Sequence, residues 1–105
     1  MKDKFKIGID YGGTKIEAIL MNDKGDEIKR ERSEYDRNYE SGISTVKKFV
    51  EALKKESSNE ATVGIAIPGY SSKETGLVHN ANSNWLNNKH FKKDLEKNLN
   101  CEVKI

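Results

Sequence analysis

Asp10, Gly12, Gly13, Thr14 and Lys15 lie together in KIGIDYGGTKIEAIL (residues 6–20), where one strand-like run ends in an acid and another begins after two glycines. These residue types suit phosphate binding. Glycine has no Cβ, so the backbone at 12 and 13 can approach a ligand and turn its N–H groups toward phosphate oxygens. Thr14 adds a hydroxyl donor and Lys15 a positive charge. Asp10, at a strand end, suits a Mg²⁺ held through water, because that ion prefers oxygen ligands and keeps several waters. The stretch is neither G-x-x-x-x-G-K-[ST] nor G-x-G-x-x-G, and a strand follows it, so no helix dipole assists. Gly-Gly is also a common type I′ hairpin pair, and on the turn alone both readings stand.

The elements around the turn follow from periodicity. FKIGID (Phe5 to Asp10) alternates apolar with polar or small residues at strand period, and KIEAILMN continues as a second strand. Asp23 to Gly25 is turn chemistry. DEIKRERS reads as a third strand whose charges suit a sheet edge. Ile43, Val46, Phe49, Val50 and Leu53 then share one helix face, with Lys47, Lys48, Glu51, Lys54 and Lys55 opposite. That helix is predicted to begin near Ser41 and to fade by SSNE. ATVGIAIPG reads as a buried strand, apolar on both faces, ended by Pro68 and Gly69. SSKETG is loop, and LVHNANSNWLNN starts extended and turns irregular. Phe91, Leu95 and Leu99 mark a second helix, and CEVKI a fifth strand. The order β-β-β-α-β-α-β predicts an α/β layer fold with a mixed five-stranded sheet. Strands one, four and five run parallel, so their carboxyl ends open at one edge, where ligands of open α/β sheets bind.

Composition narrows the class. The 105 residues make one domain at most, and 34% hydrophobic content predicts a thin core. The 19 basic and 17 acidic residues are interleaved, which gives no basic groove for nucleic acid and no membrane patch. A single cysteine, Cys101, allows no internal disulfide and no cysteine-based metal site. The start MKDKFK lacks the apolar core of a signal peptide, and no apolar run approaches a membrane span, so the expected location is cytoplasmic.

Two further stretches, VGIAIPG (63–69) and TGLVHNANSNWLN (75–87), follow GIDYGGTK in order. Together they resemble the start of a ROK-family sugar kinase, of the actin-like ATPase (ribonuclease H-like) superfold, and NANSNWLN resembles most the bacterial fructokinase branch. Glucokinases and N-acetylglucosamine or N-acetylmannosamine kinases of the family share the plan. The resemblance implies transfer of the γ-phosphoryl group of ATP to a sugar hydroxyl, with Mg²⁺ and with fructose the favoured hexose. It assigns Asp10 and Gly12 to Lys15 to the first phosphate segment, Gly69 to a backbone position near the sugar, and Asn82 to the sugar hydroxyls. It also implies a catalytic aspartate in an Asn-Asp pair after the strand matching CEVKI. On this reading residues 1–105 are the N-terminal lobe, cut before that base, inactive alone, and prone to self-associate or to pair with the missing C-terminal half.

Other residues have plainer readings. His79 is expected to be structural, His90 to sit at a helix start, and Cys101 to open the last strand as a small buried hydrophobe. Trp85 either stacks on a sugar or anchors its loop by burial. Asn80 and Asn84 read as turn formers. The competing functions are a ROK-type regulator, for which no helix-turn-helix precedes the first strand, and a stand-alone sugar- or phosphate-binding module.

Overall fold

The computed structural model describes residues 4–57 and 61–105. The elements are β1 (Phe5–Tyr11), β2 (Lys15–Met21), β3 (Glu27–Glu34), α1 (Tyr39–Glu56), β4 (Ala61–Ala66), β5 (Tyr70–Ser71), β6 (Val78–His79), a 3₁₀ turn (Asn84–Leu86), α2 (Phe91–Leu99) and β7 (Val103–Lys104). Five strands form one sheet in the order β3-β2-β1-β4-β7. β1, β2 and β3 are an antiparallel meander, while β4 pairs parallel to β1 and β7 parallel to β4. The predicted mixed sheet is therefore present, with the ends of β1, β4 and β7 at one edge.

One face of this sheet is the core. Ile7, Ile9 and Tyr11 of β1 lie beside Leu20, Ala18 and Ile16 of β2, and all six are buried. Val63 and Ile65 of β4 and Val103 of β7 extend the same face. Both helices cover it, α1 through Val46, Phe49, Val50 and Leu53 and α2 through Phe91 and Leu95. Each such side chain contributes about 1.5–3 kcal/mol by leaving water, which lets a short chain hold an ordered sheet edge.

The start of α1 differs from expectation for a local reason. Asn38 is the cap, its side chain accepting the Ser41 N–H at 2.8 Å, and the Ser41 hydroxyl accepts the Asp36 N–H at 3.1 Å. Ser41 thus sits one turn inside the helix and helps close its end. The other end is capped at Ser57, whose N–H donates to the Lys54 carbonyl. The rest of the predicted SSNE fade, and residues 1–3 of the predicted start, lie outside the described residues. α2 stops at Asn100, which takes the left-handed conformation with φ 56°.

Two expectations need correction. The segment read as loop and extended chain carries a small second sheet, β5 antiparallel to β6. Pairs this short leave no periodicity to detect. The reading of β4 as a buried strand holds for one face only. Its bulky residues, Val63 and Ile65, face the helices, while Thr62, Gly64 and Ala66 face away. On that open face Gly8 and Gly64 are direct neighbours, and with Ile19 and Met21 they floor a shallow groove of about 720 Å³.

Candidate functional site

The β1–β2 hairpin closes with the pair Tyr11 and Ile16, and the Gly12 N–H donates to the Lys15 carbonyl at 3.0 Å. Gly13 and Thr14 are its central residues. Neither has the positive φ that a type I′ turn requires at both positions, since the left-handed glycines among the described residues are Gly25 and Gly76. The two glycines differ in cause. A Cβ on Gly12 would lie 2.6 Å from the Lys15 carbonyl oxygen, so the hairpin itself demands glycine there. A Cβ on Gly13 would meet nothing within 4 Å. Neither backbone conformation nor packing requires glycine at 13, and Gly13, Thr14 and Lys15 are exposed. The Gly13 and Thr14 N–H groups have no hydrogen-bond partner among the described residues.

Asp10 lies one residue before the buried Tyr11, exposed on the face of the sheet away from the helices. Its register neighbours are Glu17 and Ala66. The Glu17 carboxylate is engaged by Arg30, whereas Asp10 has no hydrogen-bond or ion-pair partner among the described residues. No group of three or more His, Cys, Asp or Glu side chains among those residues is placed to hold a metal ion. One unpaired carboxylate fits Mg²⁺, which is commonly held by one or two carboxylates, several waters and substrate phosphates.

The predicted sugar segment is organised by Gly69 and four asparagines. A Cβ on Gly69 would lie 2.4 Å from the His79 carbonyl oxygen and 2.8 Å from the Ala81 nitrogen. Glycine at 69 therefore lets two backbone segments touch and sets where the loop after β6 begins. Asn80 and Asn88 occupy left-handed positions, with φ of 56° and 62°. Asn87 clasps Ala81, accepting its N–H at 2.9 Å and donating to its carbonyl at 3.2 Å. Asn82 is exposed, with no partner for its side chain among the described residues, while the neighbouring Ser83 hydroxyl is buried and equally unpartnered. Asn87 and Asn88 were missed in the sequence. The signal was the tolerance of asparagine for turns and left-handed backbone just past the apolar Trp85-Leu86 pair.

Aromatic residues tie this loop to the glycine turn. Trp85 donates its Nε1–H to the Tyr11 hydroxyl at 3.0 Å, and the Tyr35 hydroxyl donates to the Gly12 carbonyl at 2.7 Å. Burial pushes the Tyr11 phenol well above the usual tyrosine range, with the Trp85 hydrogen bond opposing the shift. Trp85 packs edge-on against Tyr35 at 6.2 Å, with the Arg37 guanidinium 5.6 Å from its ring centroid, so it is a loop anchor. The remaining candidates are peripheral. The His79 ring packs near Tyr70, with centroids 5.6 Å apart, and His90 is exposed just before α2. Cys101 is half-buried beside the core and precedes β7 rather than opening it.

Comparison with known proteins agrees with this geometry. The chain is 35% identical over 98 residues to the N-acetyl-D-glucosamine kinase of Mannheimia succiniciproducens, covering 92% of this chain and 32% of that protein. It is 33% identical over 100 residues to the N-acetyl-D-glucosamine kinase of Pasteurella multocida, covering 94% and 33%. It thus spans about a third of the length of the curated relatives it matches. Among solved structures, the inorganic polyphosphate/ATP-glucomannokinase of Arthrobacter sp. strain KM superposes with a TM-score of 0.78 at 29% identity, over 96% of this chain and 43% of that one. A ROK family glucokinase from Streptomyces griseus, in complex with glucose and AMPPNP, gives 0.76 at 22% identity, over 96% and 32%. The fold is that of these actin-like sugar kinases. A ROK family transcriptional regulator also shares it, with a TM-score of 0.72 at 14% identity over 95% and 26%, so fold alone does not separate kinase from regulator. Among the described residues no helix is long and apolar enough to cross a membrane. Residues 6–105 match the ROK family, and with that span, that hairpin and that loop the chain belongs to it.

Proposed function

We propose that this chain is the N-terminal lobe of a cytoplasmic, ATP-dependent hexose kinase. Gly13 carries the proposal, because its glycine is unexplained by φ or packing and leaves the turn open to a phosphate. Gly13 and Thr14 supply backbone N–H donors to the phosphates of ATP, Thr14 adds its hydroxyl and Lys15 its ammonium, while Gly12, whose N–H is bonded to the Lys15 carbonyl, closes the turn. Asp10 would hold Mg²⁺ through water, and the ion would neutralise phosphate charge. Asn82 hydrogen-bonds the sugar, on a loop whose position Gly69 fixes. Phosphoryl transfer depends on positioning and charge stabilisation more than on covalent chemistry, so these groups do the work a lobe can do. The base that takes the sugar proton lies in the part of the family fold beyond this segment.

The matching relatives shift the favoured sugar from fructose to N-acetylglucosamine, since those at 31–35% identity are N-acetyl-D-glucosamine kinases. The test is a chimera in which residues 5–105 replace the matching third of the Mannheimia succiniciproducens kinase. It should phosphorylate N-acetylglucosamine with ATP in preference to fructose, glucose and N-acetylmannosamine, while the 105-residue chain alone turns over none of them. A folded chimera without ATP-dependent activity on any of these sugars, or turnover by the isolated chain, would refute the proposal.

A further inference from the structure

We propose that Trp85, Tyr11 and Tyr35 are positioning residues that couple the Asn82 loop to the glycine turn, so that order on the sugar side is transmitted to the phosphate side. The assignment of the two sides rests on the function proposed above; the coupling itself rests on geometry. Trp85 stands in the 3₁₀ turn that follows Asn82, and its Nε1–H reaches the Tyr11 hydroxyl at 3.0 Å, across 74 residues of chain. Tyr11 is the last residue of β1 and precedes Gly12. Its ring meets that of Tyr35 edge-on at 5.4 Å, and the Tyr35 hydroxyl holds the Gly12 carbonyl at 2.7 Å. Tyr35 also packs edge-on against Trp85 at 6.2 Å, so the three rings close on one another. The backing is rigid: Tyr11 packs on Phe91 at 5.4 Å, and a Cβ on Gly42 of α1 would collide with the Tyr11 hydroxyl.

Packing alone does not account for these residues. A phenylalanine would fill the Tyr11 or Tyr35 ring site equally well, yet here each hydroxyl is spent on a partner at one of the two sides. The Gly12 carbonyl belongs to the residue that opens the phosphate turn, and it points inward to Tyr35. Fixing that carbonyl fixes the whole Gly12–Gly13 peptide, and because the bond is trans the Gly13 N–H points the opposite way, away from Tyr35. Tyr39 provides a contrast in the same aromatic cluster. It packs on Phe91, but its hydroxyl goes to Asp94, away from the turn.

Amide hydrogen exchange on the chain itself tests the coupling without ligand or turnover. The Gly12 amide, bonded to Lys15, reports on the turn. The Leu86 amide, bonded to Ser83, reports on the loop. The Gly25 amide, bonded to Asn22 in the other hairpin, is the reference. Trp85→Phe should speed exchange at Gly12, and Tyr35→Phe at Leu86, each about fivefold, as the loss of one hydrogen bond implies. Reciprocity is required of a true coupling. Gly25 should be unmoved, and Tyr39→Phe should move neither reporter. Trp85 is the one tryptophan, so its emission gives a second readout that Tyr11→Phe must shift. Should Trp85→Phe fail to fold, Tyr11→Phe keeps the ring and must accelerate both Gly12 and Leu86. Acceleration confined to the mutated side, or equal acceleration at Gly25, overturns the coupling and leaves the kinase proposal standing.

Discussion

Adding one methyl group to each of two adjacent glycines should separate the glycine the fold needs from the glycine the ligand needs. In Gly12→Ala the new Cβ would sit 2.6 Å from the Lys15 carbonyl oxygen, well inside normal contact, and that oxygen is backbone held by the Gly12 N–H at 3.0 Å. Relief requires the hairpin to open, so the expected loss is that of overpacking, about 1–3 kcal/mol. For a domain of this size that lowers Tm by roughly 4–8 °C per kcal/mol. In Gly13→Ala the Cβ meets nothing within 4 Å and φ lies outside the left-handed region. Stability should hold or rise by about 0.4–1 kcal/mol, through lost freedom of the unfolded chain. Urea unfolding of both variants, with the m-value checked for constancy, measures the difference. Equal destabilisation would mean that Gly13 is also a structural glycine, and the argument for an open phosphate turn would lose its footing.

In the chimera, Asn82→Ala should raise the sugar KM, with loss of about 1–3 kcal/mol from an unpaired sugar hydroxyl, and leave the ATP KM unchanged; an unaltered sugar KM would make Asn82 a loop residue. The open face of the sheet, with Ile19 and Met21 beside the adjacent Gly8 and Gly64, should make the isolated chain self-associate in sedimentation, and Ile19→Lys should restore the monomer; a wild-type chain monomeric at all concentrations would contradict this. Burial raises the phenol pKa of Tyr11 and Tyr39 above the unfolded value near 10. A raised pKa stabilises the fold fully below that value and progressively less above it, so stability should fall as pH rises beyond about 10. Tyr11→Phe should flatten that fall, and an unchanged alkaline slope would refute it.

Much of the fold was legible because its long elements carry strong periods. The five apolar positions of α1 and the alternation in β1 each allow one buried face, and both faces were found. What escaped was set by contacts distant in sequence. β5 and β6 pair only because Gly69 lets two backbones touch, which no local pattern displays. β4 was read as buried, yet its side with Thr62, Gly64 and Ala66 is open, which an apolar run by itself does not reveal. At the site, the spacing of Asp10, Gly12, Gly13, Thr14 and Lys15 pointed to phosphate, yet the different reasons for the two glycines appear only in three dimensions. Tyr11 and Tyr35 drew no notice as site residues, because their hydroxyl partners lie 74 and 23 residues away.

Whether the Gly13 turn receives the phosphates of ATP is decided by steady-state kinetics of Gly13→Val in the chimera. A branched side chain there blocks backbone approach, and its Cβ meets nothing within 4 Å. The ATP KM should rise or kcat fall by at least about tenfold, the worth of one well-placed charge-assisted hydrogen bond, with the sugar KM held. A variant that keeps both its ATP KM and its kcat would show that the turn only joins two strands.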